Sequence, residues 1–219
     1  MINCEYESKI KGECADDVDL VKINNDIEKQ FIIWSKVLQD TITHLLQTVE
    51  YFIESKKLIL NVNVKKIFSC FFLNYLHTLS SDITMNIGKL YSTQNKSSLQ
   101  CYNKFCNKYS EILFDSNYST LFFNNQKVIS KAIKIYKDKI QEPRNKIFGH
   151  NDDKQINYLI AKKLVENVSN NDLKELTEMG KGVLLNIWKF YNGHQMCFRL
   201  DNHNDYKIIN KLINNYCNE

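Results

Sequence analysis

Apolar side chains return every three or four residues along most of this chain, the spacing of helices that each bury one face. From about Asp17 to Leu58, the positions Val18, Val21, Ile27, Phe31, Trp34, Leu38, Ile42, Leu45, Val49 and Phe52 form one such stripe, with room for a single break. A second helix, from about Val64 to Tyr91, sets Ile67, Phe71, Tyr75, Leu79, Ile83, Ile87 and Leu90 on one side. Phe68, Phe72 and Leu76 widen that face, so this helix is expected to be central. After a loop at Ser92 to Lys96, the Ser97-Ser98 pair can cap a shorter helix carrying Leu99, Tyr102, Phe105, Cys106 and Tyr109.

The stretch Asp115 to Asn125 is rich in turn formers, and the next helix is expected from about Gln126 to Phe148, repeating Ile129, Ile133, Tyr136, Ile140 and Ile147. Two more follow, at roughly Asp153 to Val168 and Asp172 to Tyr191, and the polar tail Asn192 to Glu219 has room for a last helix near Tyr206 to Tyr216. One proline and six glycines are too few for the many tight turns of a sandwich or barrel. The pattern predicts an all-α, antiparallel helical bundle of about five to seven helices. Residues 1–219 are read as one domain, with its core at about 17–191 and the polar tail at 192–219.

Composition narrows the partners. No run of about 18 uncharged apolar residues occurs, and Met1 to Asp19 is acidic where a signal peptide is basic and then apolar, so a cytoplasmic protein without a membrane partner is expected. The net charge is only +4, so any surface for nucleic acid must be local. Seven cysteines (Cys4, Cys14, Cys70, Cys101, Cys106, Cys197 and Cys217) form no CxxC pair, which points to free thiols that pack rather than to a metal site. No metal and no other cofactor is expected.

Phosphate loops, GxSxG and HExxH are all missing from the sequence, which leaves histidine as the residue to follow. His44 and His77 lie in apolar-rich helices and read as ordinary helix residues with satisfied rings, while His194 and His203 fall in the polar tail. His150 differs. Around it the chain reads Glu142-Pro143-Arg144-Asn145-Lys146-Ile147-Phe148-Gly149-His150-Asn151-Asp152, gathering a guanidinium, an amide, an imidazole and a carboxylate. A guanidinium fork suits a phosphate, and an imidazole titrates near neutral pH and can move protons.

Residues six apart on an unbroken helix turn through about 600°, which leaves Arg144 and His150 about 120° out of phase. Gly149 can close the helix in the left-handed conformation and let His150 turn back, and Pro143 can bend the helix just before Arg144. The apolar phase from Ile133 through Ile140 to Ile147 predicts a bent helix rather than two unrelated ones. Between Lys127 and Lys146 stand seven basic residues against Asp138 and Glu142, a local balance of +5. Lys134, Lys137 and Lys146 are therefore candidate RNA-phosphate contacts, against the plainer reading of a solvated lysine face.

Arg144, Asn145 and His150 match the mark of the HEPN domains, in which an Arg and a polar residue, often Asn, are followed by four variable residues and His. The following Asn151-Asp152, together with the upstream run Ser81 to Tyr91 and Ser97-Ser98-Leu99, resembles the AbiU-like branch related to phage abortive infection. The resemblance spans roughly Phe31 to Tyr191. It implies a homodimer whose two motifs meet across a shared cleft, and a metal-independent endoribonuclease of phage-defence or toxin type acting on RNA. His150 would move protons as the ribose 2′-hydroxyl attacks, Arg144 would hold the phosphate, and Asn145 would orient the ring or contact RNA. Asp152 and Asp82 are candidate supporting acids, and an antitoxin or other regulatory protein is a candidate further partner. HEPN toxins silenced by nucleotidyl transfer carry Tyr two places after the His. Here Asp152 stands there, so that form of control is not expected. The alternative is a HEPN-like module that binds RNA, a nucleotide or a protein without catalysis.

Overall fold

A computed structural model describes the backbone of residues 17–61, 66–114, 118–142 and 169–191, together with Met196, Phe198 and Lys211. Among the described residues there are six helices and no strand, and the chain is an all-helical bundle. Helix α1, Asp17–Asn61, runs unbroken for 45 residues, about 67 Å at 1.5 Å per residue. No glycine or proline interrupts it, which is why the break allowed for in the sequence pattern does not occur. Helix α2 is Lys66–Tyr91, α3 Leu99–Lys108, α4 Ser110–Phe114, α5 Ser119–Tyr136 and α6 Asn170–Trp188. None of these helices is long and apolar enough to cross a membrane.

Cross-helix bonds set the directions. Ser55 meets Tyr75 while His44 meets Asp82, so α1 and α2 run antiparallel. Lys139 meets Asp172 while Asn186 donates to Asn125, so α5 and α6 run antiparallel as well. Helix α1 is the spine, packing on α2, α3, α4 and α6. Its buried stripe Ile27, Phe31, Leu38, Ile42, Leu45, Val49 and Phe52 is the one the spacing predicts.

At one end of the spine Phe31 is fully buried, with ring centroids 5.5 Å from Trp188, 4.7 Å from Tyr191, 5.8 Å from Phe114 and 6.0 Å from Tyr102. The polar atoms here are partnered. Ser35 donates to the Phe31 carbonyl at 2.7 Å, so its oxygen is left to accept from the Tyr102 hydroxyl, also at 2.7 Å. Tyr191 donates to Glu28; burial, then that carboxylate, push its phenol up to about 12. Tyr91 donates to the Leu176 carbonyl at 2.5 Å, and burial raises its phenol. That hydroxyl explains Gly180, where a Cβ would stand 3.0 Å from it. Met196 and Phe198 of the polar tail also pack, half-buried, against this core.

Helix ends follow side-chain chemistry. Ser98 caps α3, its oxygen accepting from the Cys101 backbone N–H at 3.5 Å, and Ser169 caps α6 through the Asp172 N–H at 3.0 Å. The turn-rich reading of Asp115 to Asn125 is corrected: α5 begins at Ser119, seven residues before the expected Gln126. Burial wins over local propensity there. Phe122 and Asn125 lie on the same face as Ile129, Ala132, Tyr136 and Ile140, all buried, and Asn103 of α3 donates to the Phe122 carbonyl at 3.0 Å. Helix α5 continues through a π-helical turn, Lys137–Gln141, just before Pro143.

The expected helix at Asp153 to Val168, the segment from Pro143 to Phe148 and the last helix near Tyr206 to Tyr216 lie outside the described residues, apart from helical Lys211.

Candidate functional site

Arg144, Asn145, Lys146, His150 and Asp152 lie outside the described residues. The helix that leads to them does not. Lys134 and Lys137 are exposed near the end of α5, with no acidic partner among the described residues. Two other lysines of that helix are engaged. Lys131 reaches Glu175 and Lys139 reaches Asp172, each at 2.7 Å, tying α5 to α6. Lys127 sits over the Phe123 ring, 4.4 Å from its centroid. The local charge of +5 is therefore spent partly on holding the bundle together, and of the described lysines on this helix Lys134 and Lys137 are the exposed ones without an acidic partner among the described residues.

Asp172 shows what such a contact does. Burial raises its pKa, but the Lys139 ammonium and the Ser169 hydroxyl and backbone N–H outweigh that and hold it below the usual carboxylate range.

Asp82 lies on α2, and its partners are on α1 and on its own helix. His44 Nε2 is 2.6 Å from Asp82 Oδ2. Thr48, one turn along α1 from His44, reaches the same oxygen at 3.4 Å. Asn86, one turn along α2, donates to Asp82 Oδ1 at 3.0 Å, and Lys89 donates to Asn86 Oδ1 at 3.0 Å. Antiparallel packing makes this possible, because His44 and Thr48 flank the buried Leu45 and Val49 while Asp82 and Asn86 flank the buried Ile83 and Ile87. The polar pairs thus meet at the rim of the apolar seam. An ionised carboxylate only accepts, so Nε2 carries the proton in this contact, and the imidazole is oriented with its side chain still 53% exposed.

His44 was read from the sequence as a helix residue with a satisfied ring, and its ring is indeed hydrogen-bonded. The signal for this polar chain is two i, i+4 polar pairs, His44/Thr48 and Asp82/Asn86, inside apolar runs. Their pairing needs the helix register, which periodicity alone does not supply.

His77 corrects the same reading. Its Nε2 is buried without a hydrogen-bond partner, as is the hydroxyl of Ser81 one turn away. Burial lowers the pKa of His77. Among the cysteines, Cys106 is buried in the core and Cys101 is half-buried, both as free thiols, and burial pushes the Cys106 thiol up. Among the described residues no group of His, Cys, Asp and Glu could hold a metal ion.

Compared with protein families, with characterised proteins and with solved structures, the chain matches none.

Proposed function

We propose that this protein is a HEPN-like, metal-independent endoribonuclease of phage-defence or toxin type, acting in the cytoplasm as a homodimer with Arg144 and His150 at a shared cleft. The observation that carries the reading is the sequence Arg144-Asn145-Lys146-Ile147-Phe148-Gly149-His150 directly after a basic helix. Two structural features support it. The bundle is all-helical, and α5 with its π turn is helical as far as Glu142, two residues before Arg144, with Lys134 and Lys137 exposed along the way.

In this reading His150 accepts the proton of a ribose 2′-hydroxyl as its oxygen attacks the adjacent phosphorus. Arg144 holds the non-bridging oxygens while charge builds on them, and Asn145 orients the imidazole or the RNA. The bond from phosphorus to the 5′-oxygen breaks, and that oxygen takes a proton to leave as a 5′-hydroxyl. The other product end is a 2′,3′-cyclic phosphate. Nothing in this sequence of steps calls for a metal.

The test is cleavage of a mixed RNA pool in EDTA, run beside His150→Ala with the product ends identified. Loss of one proton-transfer group lowers the rate by about 10² to 10⁴. Cyclic-phosphate ends that vanish in a His150→Ala protein that remains dimeric support the reading, and undiminished cleavage by that variant overturns it. No cleavage by either protein, with RNA binding whose salt dependence falls in Arg144→Ala, points instead to the binding module.

A further inference from the structure

Three of the seven large apolar side chains exposed among the described residues stand within six positions of α1: Ile33 at 63%, Val37 at 49% and Ile32 at 42%. Ile33 is the most exposed of the seven. At about 100° per residue it lies about 160° around the helix from Phe31. The patch is therefore the back of the spine, opposite the buried stripe through which α1 packs on α2, α3, α4 and α6. The outward face of a surface helix is ordinarily polar, and packing within the bundle does not account for these residues.

The charges around the patch say what covers it. Lys29 and Asp40 are exposed on the same face, and neither forms an ion pair among the described residues. They stand about 20° apart around the helix and about three turns apart along it, with Ile33 and Val37 between them. When a second α1 is laid antiparallel, with the two-fold axis crossing between Trp34 and Ser35, Asp40 of the second copy falls opposite Lys29 and Lys29 of the second copy opposite Asp40. Val37 of the second copy then comes within one residue of Ile33, about 1.5 Å along the axis. A parallel copy in register sets Lys29 on Lys29 and Asp40 on Asp40. The face is thus complementary to itself in one direction only. Exposed Lys36 stands at its edge, where the methylene stem can cover apolar surface while the ammonium stays in water.

We propose that the outer face of α1 is a self-association surface that takes α1 of a second copy of this chain, antiparallel, with Ile33 packed on Val37 and Lys29 paired with Asp40 in both directions. This does not rest on the nuclease reading. Helix α5, which leads to the Arg144 motif, packs on the same α2, α3 and α6 that the buried stripe of α1 faces. Copies joined back to back through α1 therefore make a contact separate from a shared cleft, and the two contacts together give an assembly larger than a dimer.

The experiment is sedimentation equilibrium of the full chain from about 1 to about 100 μM. It is run beside Ile33→Asp, Lys29→Asp, and Lys29→Asp combined with Asp40→Lys, all at exposed positions. The parent's mass is expected to rise with concentration. Ile33→Asp puts a charge in the apolar centre and Lys29→Asp sets like charges opposite each other twice, so each should weaken association at least about tenfold. The charge swap should bring it back to within about threefold of the parent. If the cleft dimer also forms, the weakened variants settle at the dimer, and otherwise at the monomer, so failure of the nuclease reading and failure of this one are told apart. A parent that stays monomeric at about 100 μM, an Ile33→Asp chain that associates like the parent, or a swap no better than Lys29→Asp alone overturns the proposal.

Discussion

At the Phe31 end of the bundle, the Tyr102 hydroxyl donates to Ser35 and Ser35 to the Phe31 carbonyl, while on one turn of α2 His77 Nε2 and Ser81 Oγ are buried with no partner. The two regions contain the same kinds of atoms under different terms. Around Phe31, stacked rings exclude water and the hydroxyls they bury are paired, so desolvation is matched by hydrogen bonds. On the α2 turn, and again at Asn103 Oδ1 and Asn125 Nδ2 beside α5, desolvation is not matched. Hydrophobic packing fixes the bundle at its aromatic end. Its flanks retain buried polar atoms without a hydrogen-bond partner, and Asn103 borders a pocket.

The largest effect belongs to the ring at the centre of the aromatic end. Phe31→Ala removes a fully buried ring that touches four others, and is expected to cost about 3–5 kcal/mol, read as a lower urea midpoint with an unchanged slope. A loss near that of a surface substitution would mean that this end does not hold the bundle.

A matched pair of deletions sharpens the contrast, since each removes one hydroxyl. Tyr102→Phe takes away a donor whose acceptor is buried Ser35, and about 1 kcal/mol of stability should go with it. Ser81→Ala takes away a hydroxyl with no partner and puts a better helix former on α2, so the protein should be unchanged or gain about 0.5 kcal/mol. Equal losses for the two variants would erase the distinction between the regions.

How much of this was legible in the sequence varies with how local its cause is. The α1 stripe, the Ser98 cap and the all-helical architecture follow from spacing and from neighbouring residues, and they are found where expected. The start of α5 is not, because Ser119, Asn124 and Asn125 carry turn propensity, while the burial of Phe122 and Asn125 against α3 is a tertiary event. Polar residues that looked like a turn are partly the wall of a pocket. Asp82 was singled out from the sequence, but its bond to His44 spans 38 positions and depends on the α1/α2 register. The bend expected at Pro143 lies outside the described residues, and the π turn at Lys137–Gln141 had no signal in the apolar spacing.

The last test compares two histidines. His44 meets a carboxylate, whereas Nε2 of His77 has no partner and burial is the cause that lowers its pKa. A base whose folded pKa lies below its unfolded value of 6.5 binds fewer protons when folded, so acid favours the unfolded chain. The pH-dependent part of the His77 contribution should be absent above pH 7, become destabilising as pH falls through about 6.5, and level off once pH passes the lower folded value. Measured as the difference in urea midpoint between the parent and His77→Leu from pH 8 to pH 5, the variant should gain relative to the parent as the solution is acidified. A difference that stays flat across that window would show that His77 finds a partner when protonated, and the α2 turn would then be no less satisfied than the end of the bundle around Phe31.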